Sequence, residues 1–185
     1  MFRERGYGQT TATEIAALAG VTERTFFRHF EDKREVLFDG SDDLCVALVE
    51  RILQAPDVVW PLQVVIGVLA EFDWESLGSR DFHRQRHAVI AANPELLERD
   101  LIKQRSIAVG FTDALRQRGV DADVALLAAR IGLQIFITAY EQWIEADEKA
   151  DLATISKTAM SLLATIAPID VSRGSPRPGE QRFRP

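Results

Sequence analysis

Apolar residues recur three and four positions apart along almost the whole chain, and strict alternation is nearly absent, so the pattern predicts an all-α protein. Thr11-Ala12-Thr13-Glu14 has the spacing of a capping box, in which a hydroxyl and a carboxylate each satisfy a free amide at a helix start. A short helix, Ala12 to Ala19, follows and closes at Gly20. Val21 then supplies a buried hydrophobe, and Thr22 a hydroxyl N-cap for a second short helix, Glu23 to Phe30. Asp32 and Glu35 repeat the N-cap spacing before a longer helix, Lys33 to Gln54, with Gly40 and Ser41 as its point of bending or interruption. Pro56 and Pro61 punctuate the next connection, and Leu62, Val65, Ile66 and Leu69 form one helical stripe. After a break at Ser76 to Ser79, helices are predicted over Arg80 to Ala92, Pro94 to Arg118 and Asp121 to Ala146. Leu152, Ile155, Ala159, Leu162, Leu163 and Ile166 share one side of the last helix, Lys149 to Ala167. Pro168 stops it, and residues 168–185 read as a disordered tail.

Composition narrows the class. The 185 residues are 46% hydrophobic and 27% charged, which excludes a disordered or fibrous chain and suffices for a core. A single Cys45 excludes an intramolecular disulfide framework and fits a reducing cytoplasmic setting. Met1-Phe2-Arg3-Glu4-Arg5 lacks the apolar centre of a secretory signal. The longest apolar stretches, Val58 to Ala70 and Ile131 to Ala139, fall short of the ~18 residues of a membrane span, so none is expected. A net charge of -6 counts against nucleic acid until it is resolved by segment. Residues 1–38 carry six basic and six acidic side chains, residues 39–167 twelve and twenty, and residues 168–185 four and two. The acidity belongs to the middle of the chain, and the first segment is neutral.

Two short helices joined through Ala19-Gly20-Val21 form a helix-turn-helix candidate, with Ala16 and Ala19 small enough for a close crossing. Such a unit lays its second helix in the DNA major groove. Phe26 and Phe30, four apart, face inward, which leaves Glu23, Arg24, Phe27 and Arg28 outside. Thr22 and Thr25 stand near the helix start, where free amides attract phosphate.

Residues 6–38 resemble the DNA-binding segment of the TetR family of bacterial transcriptional regulators. The resemblance rests on Gly6-Tyr7 before the Thr-rich cap, Ile15-Ala16, Ala19-Gly20-Val21 in the turn, Thr25-Phe26-Phe27-x-His29-Phe30, and Lys33 three residues later. It implies a homodimer whose heads, residues 1–38, bind a palindromic double-stranded operator. It also implies a helical body, residues 39–167, that dimerises, binds a small effector and releases DNA, most simply as a repressor. Carried over by position, Thr11, Thr22, His29 and Lys33 would touch phosphates, and Glu23, Arg24, Thr25 and Arg28 would read or border base edges. Phe27 stands where the family commonly has tyrosine, so it would touch a thymine methyl or a sugar. For any one of the charged residues alone, a solvated helix face is an equal reading, whereas together inside this motif they favour DNA. The family's head has three helices, and its first ends near Phe2 to Arg5, so most of that helix is expected to be missing here, with the true start upstream of Met1.

In the body, only Arg130 and Gln134 are strongly polar between Val124 and Ile137. A helix apolar nearly all round needs cover on two sides, its own body and a partner, and the Leu152 to Ile166 stripe would complete a bundle with two helices per subunit. Trp60, Phe72, Trp74, Phe82, Phe111, Phe136, Tyr140 and Trp143 are candidates to line an apolar effector pocket, with Arg86 and His87 (and Arg84) at its mouth for a carboxylate or phosphate. The stretch around His87, Asn93-Pro94-Glu95-Leu96 and Trp143 more weakly resembles bodies of family members that respond to lipophilic ligands. His83 and His87 have metal-ligand spacing but no Cys or H-E-x-x-H nearby, so neither metal nor cofactor is expected. No G-x-S-x-G, P-loop or dinucleotide pattern occurs, which argues against an enzyme. The competing reading is an effector-binding or dimerisation protein that has lost DNA binding through its short N-terminus.

Overall fold

A computed structural model describes residues 5–56, 60–147 and 149–166. The expected tail, 168–185, and most of the expected first-helix remnant lie outside the described residues. In chain order the elements are α1 (Ala12–Leu18), α2 (Glu23–His29), a 3-10 turn (Glu35–Leu37), α3 (Ser41–Gln54), α4 (Pro61–Ala70), a second 3-10 turn (Trp74–Leu77), α5 (Arg80–Ala91), α6 (Pro94–Gln117), α7 (Ala122–Glu145) and α8 (Leu152–Ile166). Among the described residues there is no strand.

Helix α7 runs through the centre of the body, packed against α4, α5, α6 and α8, while α3 lies against α4 and α6. Its inner face is built of small residues, Ala125, Ala128, Ala129, Gly132 and Ala139, with Leu133, Phe136 and Trp143 between them. Small side chains let neighbouring helices come close. A Cβ placed on Gly132 would stand 2.6 Å from Val65 Cγ1 of α4. Leu48, Ile52, Val65, Leu69, Phe111 and Leu115 fill the core around this face, each contributing on the order of 1.5–3 kcal/mol. An 18-residue window of the 24-residue α7 reaches a mean hydropathy of 1.6, enough by length and composition to cross a membrane, where the sequence pattern marked only Ile131 to Ala139 as an apolar stretch and no span was expected. Its packed inner face makes it the core helix of the body. On the opposite side Val124, Leu127 and Ile131 are exposed, as are Leu162 and Ile166 of α8.

The expected helix Lys33 to Gln54 is two elements. Gly40 takes φ 72°, a left-handed conformation that costs glycine little, and α3 starts directly after it. Asp32 caps no α-helix; its carboxylate accepts the Arg34 amide at 2.7 Å and the Arg34 Nε at 2.6 Å, at the entry to the 3-10 turn. At the far end of α3, Arg118 donates to the carbonyls of Ile52 (3.2 Å), Leu53 (2.7 Å) and Pro56 (3.3 Å), satisfying acceptors that the helix leaves open. Helix α8 begins at Leu152 rather than Lys149, because the Asp151 carboxylate accepts the Thr154 amide at 2.9 Å and caps it there.

Candidate functional site

Thr11 and Glu14 form the capping box that opens α1: the Glu14 amide donates to Thr11 Oγ1 at 3.2 Å and the Thr11 amide to Glu14 Oε2 at 2.9 Å. The Thr11 amide, then the Thr11 hydroxyl and Arg5, hold the Glu14 carboxyl below its usual value. Gly20, at φ 70°, turns the chain, and the Val21 amide returns to the Ala16 carbonyl at 3.0 Å. Val21, expected to be buried, is exposed, and so is Leu18. A pair of seven-residue helices has one small interior, and Ala16 and Phe26 occupy it.

Thr22 caps α2, accepting the Thr25 amide at 3.1 Å, and the two hydroxyls lie 2.9 Å apart. Phe26 is buried, with Phe30 at 5.2 Å between ring centroids and Phe27 edge-on at 5.3 Å. This packing sends Thr22, Glu23, Arg24, Phe27, Arg28 and His29 to the surface, with Thr25 half-buried. Phe27 is 49% exposed, unusual for a large aromatic with no covering element.

Lys33 is placed differently from the other residues expected at phosphates. Its ammonium donates to the carbonyls of Tyr7 at 2.9 Å and Thr10 at 3.1 Å and stands 4.2 Å above the Tyr7 ring. It clips the segment before α1 to the segment after α2. Tyr7 in turn is buried with Phe38, Ile90 and Leu96, so the head docks on the body through its own small core. Burial, followed by Glu95 and Asp32, raises the Tyr7 hydroxyl to about 12.

The body encloses a cavity of about 340 Å³ between α3, α5, α6 and α7, at the lower end of the ~300–1,000 Å³ range of small-molecule sites. Its walls are mostly apolar, from Leu44 and Leu48 on α3 to Leu133 and Phe136 on α7. Its polar lining includes Arg86, His87, Asp100, Lys103, Gln104 and Glu141. They are largely paired. Lys103 Nζ meets Asp42 Oδ1 at 2.6 Å, Arg86 Nη2 stands 3.9 Å from Asp100 Oδ1, and Gln104 Nε2 donates to Asp100 Oδ2 at 2.7 Å. Tyr140 lines the cavity while its hydroxyl lies 2.8 Å from His83 Nδ1. Burial pushes that hydroxyl up to about 12, so it stays protonated. His83 is buried, with both ring nitrogens engaged, the second to the Trp74 carbonyl.

Comparison with known proteins places both halves. The family model described as "Bacterial regulatory proteins, tetR family" matches residues 1–39, and the one described as "MftR C-terminal domain" matches residues 59–168. The chain belongs to the TetR family. It is 53% identical over 36 residues to the HTH-type transcriptional repressor BepR of Brucella suis biovar 1 (strain 1330), a stretch that is 20% of this chain and 17% of that repressor. Among solved structures, Thermus thermophilus FadR, a TetR-family transcriptional repressor in complex with lauroyl-CoA, is 26% identical with a TM-score of 0.47, over 97% of this chain and 94% of that one.

Within this TetR-family chain, five of the aromatic and polar residues expected at a pocket, Trp74, Arg86, His87, Phe136 and Tyr140, line this cavity. The others do not, because aromatic content alone says nothing about which side of a helix faces a void. Phe111 is fully buried in the core. Trp60 is exposed beside a separate open groove between α3 and α4. Phe72 and Trp143 border a shallow cleft next to Arg80, and Phe82 lies exposed across Gly78. Residues missed from sequence include Phe38, Asp100, Lys103 and Gln104. The signal for α6 was present: Leu97, Asp100, Leu101, Gln104 and Ile107 follow the three-and-four rhythm of one helix face.

Proposed function

We propose that the chain is a ligand-responsive transcriptional repressor that binds a palindromic operator as a homodimer and is released by a small lipophilic effector. One observation carries the reading: in a TetR-family head, the Thr22-capped helix α2 turns Arg24, Phe27, Arg28 and His29 outward while Phe26 anchors it from behind. Arg24 and Arg28 would read base edges, bordered by Glu23 and Thr25, and Phe27 would meet a thymine methyl or sugar. Thr11, Thr22 and His29 would face phosphates; Lys33 would act chiefly by holding the head together. BepR, a repressor by name, supports the sign of regulation. The exposed apolar faces of α7 and α8 fit a two-fold bundle with a second copy, which a small head needs for two half-sites. The apolar walls of the cavity fit a lipophilic effector. In this reading the head is residues 1–38 and the body residues 39–167, with no catalytic role.

Selection of operators from random duplexes tests it. The expected result is one palindromic consensus whose log affinity falls steeply with log salt. Sequence-blind binding of all duplexes would overturn it.

A further inference from the structure

Interrupting the expected helix at Gly40 leaves a backbone acceptor open at the joint between head and body. The Ser41 amide turns to the Phe38 carbonyl at 3.0 Å, so the Leu37 carbonyl lacks the donor that a continuous helix would supply four residues on. Arg86 of α5 takes that place, its Nε donating to the Leu37 carbonyl at 2.8 Å with the guanidinium 5.2 Å from the centre of the Phe38 ring. Leu37 ends the 3-10 turn, and Phe38 both lines the cavity and packs on Tyr7 of the head. One guanidinium therefore touches the effector cavity and holds the segment from which the head hangs. Its carboxylate partner, Asp100, is 3.9 Å away, a distance that leaves the cation incompletely neutralised. Lys103 also lines the cavity but is held by Asp42 at 2.6 Å, and Asp100 and Glu141 add carboxylates to the lining.

We infer that Arg86 is a ligand-operated latch: an effector bearing a carboxylate draws the guanidinium from the Leu37 carbonyl and frees the joint at residues 33–41. The apolar tail of such a ligand lies along Leu133 and Phe136, and its polar end reaches the Arg86 flank. This deepens the effector site of the proposed function and rests on that site being occupied. Its readout needs no DNA, so failure of operator binding and failure of the latch are separate results.

Hydrogen exchange of the full chain tests it, with decanoate as the acceptor-bearing probe and decanol as the matched probe lacking the charge. In the wild type, decanoate is expected to raise exchange in peptides covering 33–41 by about tenfold and to leave the α7 core unchanged, whereas decanol gives no such rise. Arg86→Met is expected to show the raised exchange without ligand. Arg86→Lys keeps the charge and the apolar stem but lacks the Nε–H, so it decides the matter if the methionine variant folds poorly; it too exchanges faster at 33–41 and no longer responds to decanoate. Unchanged exchange at 33–41 with decanoate, an equal rise with decanol, or a wild-type response in Arg86→Lys overturns the latch.

Discussion

Tyr140 and His83 share one hydrogen bond of 2.8 Å, and its direction follows from the other end of the imidazole. His83 Nε2 faces the Trp74 carbonyl at 2.8 Å, an oxygen that only accepts, so Nε2 donates there and Nδ1 accepts a hydrogen bond from the Tyr140 hydroxyl. The pair ties α7, α5 and the second 3-10 turn together at the cavity wall. Tyr140→Phe leaves a buried nitrogen unpaired and is expected to cost about 1–3 kcal/mol, read as a lower urea midpoint at unchanged slope. An unchanged midpoint would show that the bond adds nothing.

Arg24 and Arg28 stand on the exposed face of α2, whereas Lys33 is spent on the Tyr7 and Thr10 carbonyls. Arg24→Ala and Arg28→Ala are expected to relax preference at particular operator positions with little loss of stability. Lys33→Met is expected to weaken binding to all duplexes alike and also to lower the unfolding temperature. A selected consensus identical to wild type in both arginine variants refutes their reading role.

Ile131 is 40% exposed on the outer face of α7, between Leu127 and Gln134. In a dimer joined through this face, Ile131→Asp buries an unpaired carboxylate and is expected to give a monomer in sedimentation, with the helical signal retained. A wild-type chain that sediments as a monomer at all accessible concentrations removes the interface.

Gly132 lies where α4 crosses α7, and a methyl there would meet Val65 Cγ1 at 2.6 Å. Gly132→Ala is expected to destabilise by about 1–3 kcal/mol despite the higher helix propensity of alanine. Thermal unfolding decides between crowding and propensity: a raised midpoint would mean that the two helices shift apart freely.

Glu14 has a depressed pKa because the Thr11 amide and hydroxyl hydrogen-bond its charged form. The stability it contributes is full above the unfolded carboxylate value of about 4 and is lost as pH falls through the lower folded value. Asp151, held down by the Thr154 hydroxyl and amide, follows the same sign at α8. Glu14→Gln is expected to flatten the acid side of the stability profile, so parallel profiles for variant and wild type would rule out this linkage.

The Thr11 box, the Gly20 turn, the Thr22 cap and the inward Phe26 are decided by neighbours within about four residues, the spacing of one helical turn, and so they are written in the sequence. The same holds for the helical class and for the head motif that marks a TetR-family chain. Lys33 and Arg86 are different. Whether an ammonium meets a phosphate or the Tyr7 carbonyl, and whether a guanidinium closes on Leu37, depends on segments brought together across 26 and 49 residues. The cavity likewise gathers side chains from Phe38 to Glu141. The sequence offers Phe111 and Phe136 alike as pocket candidates, but only the packing of helices around a space leaves Phe136 against the void and Phe111 in solid core.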